Sequence, residues 1–133
     1  MIVNTTGEVI NGYRATVIMG DLSATYPTAP TSYIGTYGQW DSIDAGYAFE
    51  DYDEIEVVCI RQGTPSATSP DCYEFIKVPV YMIQNAPSGY GAKINHQADA
   101  TAYVTFALRA SDNSFYLDNF NYLAPIALVG IKY

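Results

Sequence analysis

Five carboxylates fall within seven residues, at Glu50, Asp51, Asp53, Glu54 and Glu56. Such a run could hold a hard cation, since Ca²⁺ takes about six to eight oxygen ligands. Asp51 and Asp53 are its first candidates. The run lacks the central Gly and the distant Glu of an EF-hand loop, and its ordinary reading is a solvated entrance to a strand. Carboxylate pairs also carry out glycoside hydrolysis, but that needs two acids facing each other across a cleft. These acids are neighbours in the chain. His96 is the only histidine. As a general base it would need a nucleophile and an orienting acid beside it. Ser88, Cys59 and Cys72 could serve in principle, yet no G-x-S-x-G motif occurs. A structural zinc site needs four ligands, more than one histidine and two cysteines supply. The cysteines read either as two buried small hydrophobes or as a disulfide closing a hairpin loop. The expectation is a protein with no catalytic set, no metal and no cofactor.

The aromatic residues offer binding chemistry instead. Tyr26, Tyr33, Tyr37, Trp40, Tyr47 and Tyr90 sit in turn-rich stretches rather than on the apolar faces of strands. Tyr presents a rigid, amphipathic surface at low entropy cost. Against a sugar, the ring stacks on C–H faces while its hydroxyl and nearby Asp or Asn exchange hydrogen bonds. The alternative is that many of these rings fill the core or an interface between copies of the chain. Trp40, Tyr37 and Tyr90 are the candidate anchors.

These groups must be carried by strands and turns. Val, Ile, Thr, Tyr and Phe occur in short runs punctuated by Gly, Pro, Asn and Asp. Strands are expected over 14–19 (RATVIM), 55–61 (IEVVCIR), 74–83 (EFIKVPVYMI), 101–109 (TAYVTFALR), 114–117 and 126–133 (IALVGIKY). In the fourth run Val104, Phe106 and Leu108 share one face, and Tyr103, Thr105, Ala107 and Arg109 the other. The third run puts Val78, Val80 and Met82 together, and Pro79 assigns it to an edge or a bulge. The second and third runs should pair around a long loop at 62–72. Ser111, Asp112 and Asn113 mark a tight turn between the fourth and fifth. The segment 22–46 reads as loop with one or two short strands, and 90–102 carries too many helix breakers for a long helix. The fold class expected is all-β, an antiparallel β-sandwich in one domain spanning 1–133.

Composition narrows the partners. The net charge is −8, with no basic run, which argues against nucleic acid and against an anionic membrane surface. No apolar run approaches the roughly 18 residues of a membrane-spanning helix. The first residues have neither the basic nor the apolar region of a signal peptide. A route to the outside would then be assembly in the cytoplasm and release by lysis.

Two passages carry a resemblance. Residues 49–58 read FEDYDEIEVV, an aromatic followed by a YDEI lead into an apolar strand. Residues 126–133 read IALVGIKY, similar to an I-x-x-I-Y-G-I-K ending. Between them come VPVYMI, a Gly-rich turn, VTFAL and FYL. Together they resemble the C-terminal part of bacteriophage tail-fibre and tail-spike proteins over residues 49–133, with Val129 departing where an aromatic often stands. The resemblance implies a receptor-binding tip: a jelly-roll-like β-sandwich, homotrimeric, non-catalytic, made in the host cytoplasm and carried on the tail of the virion. Its receptor would be a bacterial surface glycan or an outer-membrane protein. No binding residue carries over, because recognition loops differ between such tips. Trimerisation would turn weak contacts into avidity. Two other classes remain open: a structural virion or assembly protein without an external ligand, and a small β enzyme acting on glycans.

Overall fold

In the strand β7 (Tyr103–Arg109), Val104, Phe106 and Leu108 are fully buried, while Tyr103, Thr105 and Arg109 are half-buried on the other side. The period of two read from the sequence is the period of the strand. The computed structural model describes residues 6–10, 13–24, 33–63, 70–87 and 89–133. The other strands are β1 (Thr6–Ile10), β2 (Tyr13–Gly20), β3 (Trp40–Ser42), β4 (Glu54–Arg61), β5 (Cys72–Pro79), β6 (Ala92–Gln97), β8 (Ser114–Asn121) and β9 (Leu123–Lys132). One short helix, α1 (Val80–Asn85), follows β5, and a 3-10 turn spans Phe49–Asp51.

The strands form two antiparallel sheets, one of five strands in the order β1-β2-β9-β4-β5 and one of four in the order β3-β8-β7-β6. The chain is an all-β sandwich. Its outer nesting is jelly-roll-like: β2 pairs with β9 in one sheet, and β3 with β8 in the other. Inside that nest the chain uses local hairpins, β4 with β5 and β6 with β7. The expected β4–β5 hairpin and the β7–β8 hairpin around Ser111, Asp112 and Asn113 are both present, and Asn113 adopts the positive φ of 51° that such a turn favours.

One core lies between the sheets. Ile55, Val57 and Cys59 of β4 meet Val104, Phe106 and Leu108 of β7 and Phe115 and Leu117 of β8 in a single apolar cluster. The Phe106 and Phe115 rings stack at 5.9 Å. β9 is buried from Leu123 to Ile131 on both of its faces: Leu123 and Leu128 enter the core between the sheets, and Tyr13, Val17 and Tyr33 pack against the cluster on its other side. Its outward side joins Ala15, Val58 and Ile60 in a second cluster.

The run 74–83 corrects the reading of one continuous strand. The strand stops at Pro79, which has no N–H for the ladder, and the chain turns into α1. The Val80 N–H instead donates to the Asp53 carbonyl at 2.9 Å. Helical spacing then buries Val80 and Ile83, while Met82 and Tyr81 face out. The shared face proposed for Val78, Val80 and Met82 therefore fails at Met82. Pro79 does lie on an edge strand, as its chemistry requires. β6, with its half-buried alternation, and β1 lie outside the strand runs expected from the sequence.

Both cysteines are free thiols. Cys59 is buried in the core, but Cys72 is exposed at the start of β5, so the reading of two buried hydrophobes holds for one of them. Burial pushes the Cys59 thiol up to about 12. In the native protein a thiol reagent should modify Cys72 quickly and Cys59 only after denaturation. Mass analysis of partially labelled protein measures this. Equal labelling of both under native conditions would contradict the burial of Cys59.

Candidate functional site

The outward face of the four-stranded sheet carries an aromatic groove. β3 pairs with β8 so that Trp40 lies opposite Tyr116. Opposed residues project from the same face, and the two rings stand 5.0 Å apart. Arg109, at the end of β7, places its guanidinium 4.0 Å from the centre of the Trp40 ring, within cation–π range. That guanidinium is held in place. Its Nε donates to Asp112 Oδ1 at 2.9 Å and its Nη2 to Oδ2 at 2.6 Å, a bidentate fork, and Nη1 reaches the Gly89 carbonyl at 3.3 Å.

The groove encloses about 300 Å³ and is lined by Trp40, Tyr90, Gly91, Lys93, Tyr116 and Asp118, among others. Tyr90 is 80% exposed on the turn before β6. Lys93 and Asp118 pair across the sheet at 3.3 Å, both largely exposed. The groove thus offers stacking surface, cationic donors and anionic acceptors on a rigid sheet. Gly91 makes the close approach possible. Its φ is +68°, and a Cβ there would lie 2.6 Å from the Leu108 carbonyl oxygen and 3.0 Å from Trp40 Cη2.

Of the residues singled out in the sequence, Trp40 and Tyr90 come together here. Tyr33 and Tyr37 do not. They pack on Phe120, Tyr33 edge-on at 4.9 Å and Tyr37 stacked at 5.6 Å, and Tyr33 also leans on the core. Tyr47 is exposed in a turn closed by its N–H to the Asp44 carbonyl, and it does not line the groove. Tyr26 and Ser88 lie outside the described residues. Tyr116, Arg109, Lys93 and Asp118 were missed as site residues. The alternation of β8 marks Tyr116 and Asp118 as outward, opposite Phe115 and Leu117. Only the β3–β8 pairing, invisible in the sequence, makes that face a site.

Two members of the acidic run, Asp53 and Glu54, serve the fold. Asp53 Oδ2 accepts the Tyr133 N–H at 2.8 Å, and its Oδ1 lies 3.6 Å from Lys132 Nζ. Glu54 accepts the Tyr133 hydroxyl. Glu56 stands opposite Lys77 in the β4–β5 pair, and Asp51 is exposed on the 3-10 turn. Among the described residues no group of three or more His, Cys, Asp or Glu is placed to hold a metal, Asp51 and Asp53 included. His96 Nε2 lies 3.5 Å from Glu74 Oε1, between β6 and β5, and so spans the two sheets.

The hydrogen bonds from Arg109 hold the Asp112 carboxyl below the usual aspartate range. A lowered carboxylate pKa contributes stability that is complete above the unfolded value and lost as pH falls through the folded value. Trp40 is the only tryptophan, so its emission reports the cation above it. Emission should hold steady down to the ordinary aspartate range and shift only below it. Asp112→Asn should remove that low-pH step. A step unchanged in the variant would show that Asp112 does not control Arg109.

The fold and the groove define a β-sandwich with an aromatic groove on one outward face. No family model, curated protein or solved structure matches this chain.

Proposed function

We propose that this chain is a receptor-binding tip of a bacteriophage tail fibre, non-catalytic, whose Trp40–Tyr90–Tyr116 groove binds a glycan of the bacterial surface. The groove carries this reading. A sugar presents apolar C–H faces and polar edges, and here the exposed Tyr90 ring and the half-buried Trp40 and Tyr116 rings stand beside Lys93 and Asp118. Binding sites of this type are concave, with a few placed polar groups among apolar ones. An outer-membrane protein would need a broader and flatter surface than about 300 Å³ of groove. The tail-fibre assignment rests on the resemblance of residues 49–58 and 126–133, together with the sandwich, and the virion tail is the location proposed with it.

The homotrimer belongs to the same proposal. On the outward face of the five-stranded sheet, Phe75 is 61% exposed and Tyr133 equally so, around a groove floored by Val58 and Val129. Exposed apolar patches of this kind mark association surfaces, and three linked sites would raise the avidity of weak sugar contacts.

The test is binding of the purified protein to a panel of bacterial strains and to their isolated surface polysaccharides, with its mass in solution measured alongside. Aromatic anchors cost at least about 2 kcal/mol when truncated, close to thirtyfold in affinity. Trp40→Ala should lose that much while keeping its fold. A folded Trp40→Ala protein that binds as tightly as the native one would sink the groove as the recognition site, and a monomer at micromolar concentration would sink the trimer.

A further inference from the structure

A second groove lies next to the aromatic one. It encloses about 530 Å³, and its lining includes Glu50, Gln84, Pro87, Gly91, Arg109 and Ser111. Gly91 lines both grooves. Arg109 lines the second while its guanidinium covers Trp40 in the first. The turn at 89–91 and the Arg109 side chain therefore form a saddle between them, tied by the bond from Arg109 to the Gly89 carbonyl. The saddle is stiff on its β7 side, because Asp112 grips Arg109 by two bonds.

The two grooves differ in chemistry. The first is lined by four aromatic residues, Trp40, Tyr90, Tyr116 and, from the core side, Phe106. The second has none among the residues that line it. It offers a carboxylate at Glu50, an amide at Gln84 and a hydroxyl at Ser111, and no hydrogen bond joins these side chains to another described residue. Rings read the face of a sugar, and such polar groups read its edge hydroxyls.

We infer that the ligand is a neutral oligosaccharide that stacks one unit on the Trp40 side and runs across Arg109 so that the next units lie in the Glu50–Gln84–Ser111 groove. The inference rests on the glycan reading of the aromatic groove. Neutrality follows from charge. The Arg109 guanidinium is already matched by Asp112, and Lys93 by Asp118. Glu50 adds an unmatched negative charge to the second groove, on a chain of net charge −8. An acidic glycan would meet repulsion there without a free cation in either groove to offset it.

The test uses glucose, galactose and N-acetylglucosamine, each as the monosaccharide and as its linear tetrasaccharide, with tetragalacturonate as the acidic probe. Affinity is read by calorimetry and by Trp40 emission. For at least one neutral series the tetrasaccharide should bind tenfold or more tighter than its monosaccharide, and tetragalacturonate should bind more weakly than that tetrasaccharide. The double variant Gln84→Ala, Ser111→Ala should bring the tetrasaccharide down to the affinity of the monosaccharide, with the native Trp40 emission spectrum showing that the saddle is intact. Equal affinity of mono- and tetrasaccharide, or a double variant that keeps the full gain, would overturn the extended site and leave the aromatic groove standing. Tighter binding of tetragalacturonate would overturn the neutral ligand. If no saccharide binds, the glycan reading falls, and this inference falls with it.

Discussion

Phe106→Ala should lower the unfolding free energy by about 3–5 kcal/mol, the usual cost of truncating a fully buried aromatic residue. Phe106 is at the middle of β7, has no exposed surface, and stacks on Phe115. It stands between Ile94 of β6 and Leu117 of β8 on the inner face of the four-stranded sheet. Three neighbours would face the same void, and all belong to strands whose backbones are fixed by ladders on both sides or by the core itself. Collapse into the space is therefore limited, which puts the cost in the upper part of the range. Set against a typical total of about 5–15 kcal/mol, the variant would be marginal. Phe75, also a strand phenylalanine but 61% exposed, is the control. Phe75→Ala, measured at a protein concentration low enough to dissociate the proposed trimer, should change stability by no more than about 0.5 kcal/mol. Urea denaturation of the two variants checks the prediction through the difference in midpoint at constant slope. Equal effects would mean that the inner and outer faces are misassigned.

That contrast also shows what the sequence makes legible. Phe106 is recognisable as core because Val104 and Leu108 share its face and polar or small residues share the other. The rule reads any strand with one wet side. It fails on β9, which is buried on both sides and shows no alternation, although its apolar run alone marks it as a strand. It misses β6, where Lys93, Asn95 and Gln97 alternate with Ala92, Ile94 and His96, and only Ile94 is strongly apolar. It overran at Pro79, because Val80 and Ile83 are as apolar as strand residues, and the change from period two to helical spacing takes place within six residues.

The two passages that carry the resemblance turn out to be neighbours. β4 and β9 pair antiparallel, with Ile55 opposite Gly130 and Glu56 opposite Val129. The Tyr52 ring covers Gly130 so closely that a Cβ there would lie 2.6 Å from Tyr52 Cγ. Asp53 and Glu54 hold the backbone and side chain of Tyr133. Tyr52, the acids after it and the Gly-Ile-Lys-Tyr ending thus answer one another's packing. They specify how the central strands meet. They do not specify a ligand, and none of them lines the aromatic groove. The groove was only half legible for the same reason. Trp40 and Tyr90 stand out by residue type, but Tyr116, Lys93 and Asp118 join them through strand pairing, which leaves no local mark in the chain.

Gly91→Ala should damage both the fold and the groove. At φ +68° the alanine carries the strain of a left-handed backbone, roughly 1 kcal/mol or more. The new methyl would also lie 2.6 Å from the Leu108 carbonyl oxygen. That carbonyl belongs to β7 where Leu108 faces Ala92 of β6, so it cannot withdraw without disturbing the pair. The turn must move instead, and Tyr90 moves with it. The expected loss is about 2–3 kcal/mol of stability, in the range of backbone strain combined with overpacking, together with a change in Trp40 emission. Gly46→Ala separates the two causes. Gly46 has a φ of +93°, and nothing lies within 4 Å of the position its Cβ would take. It therefore carries the conformational strain without the clash. The difference between the two variants in denaturation midpoint measures the contact alone. Because one of the atoms crowded at Gly91 belongs to Trp40 itself, only the Gly91 variant should alter the tryptophan emission, and a change of equal size in both would place the effect in the backbone rather than in the wall of the groove.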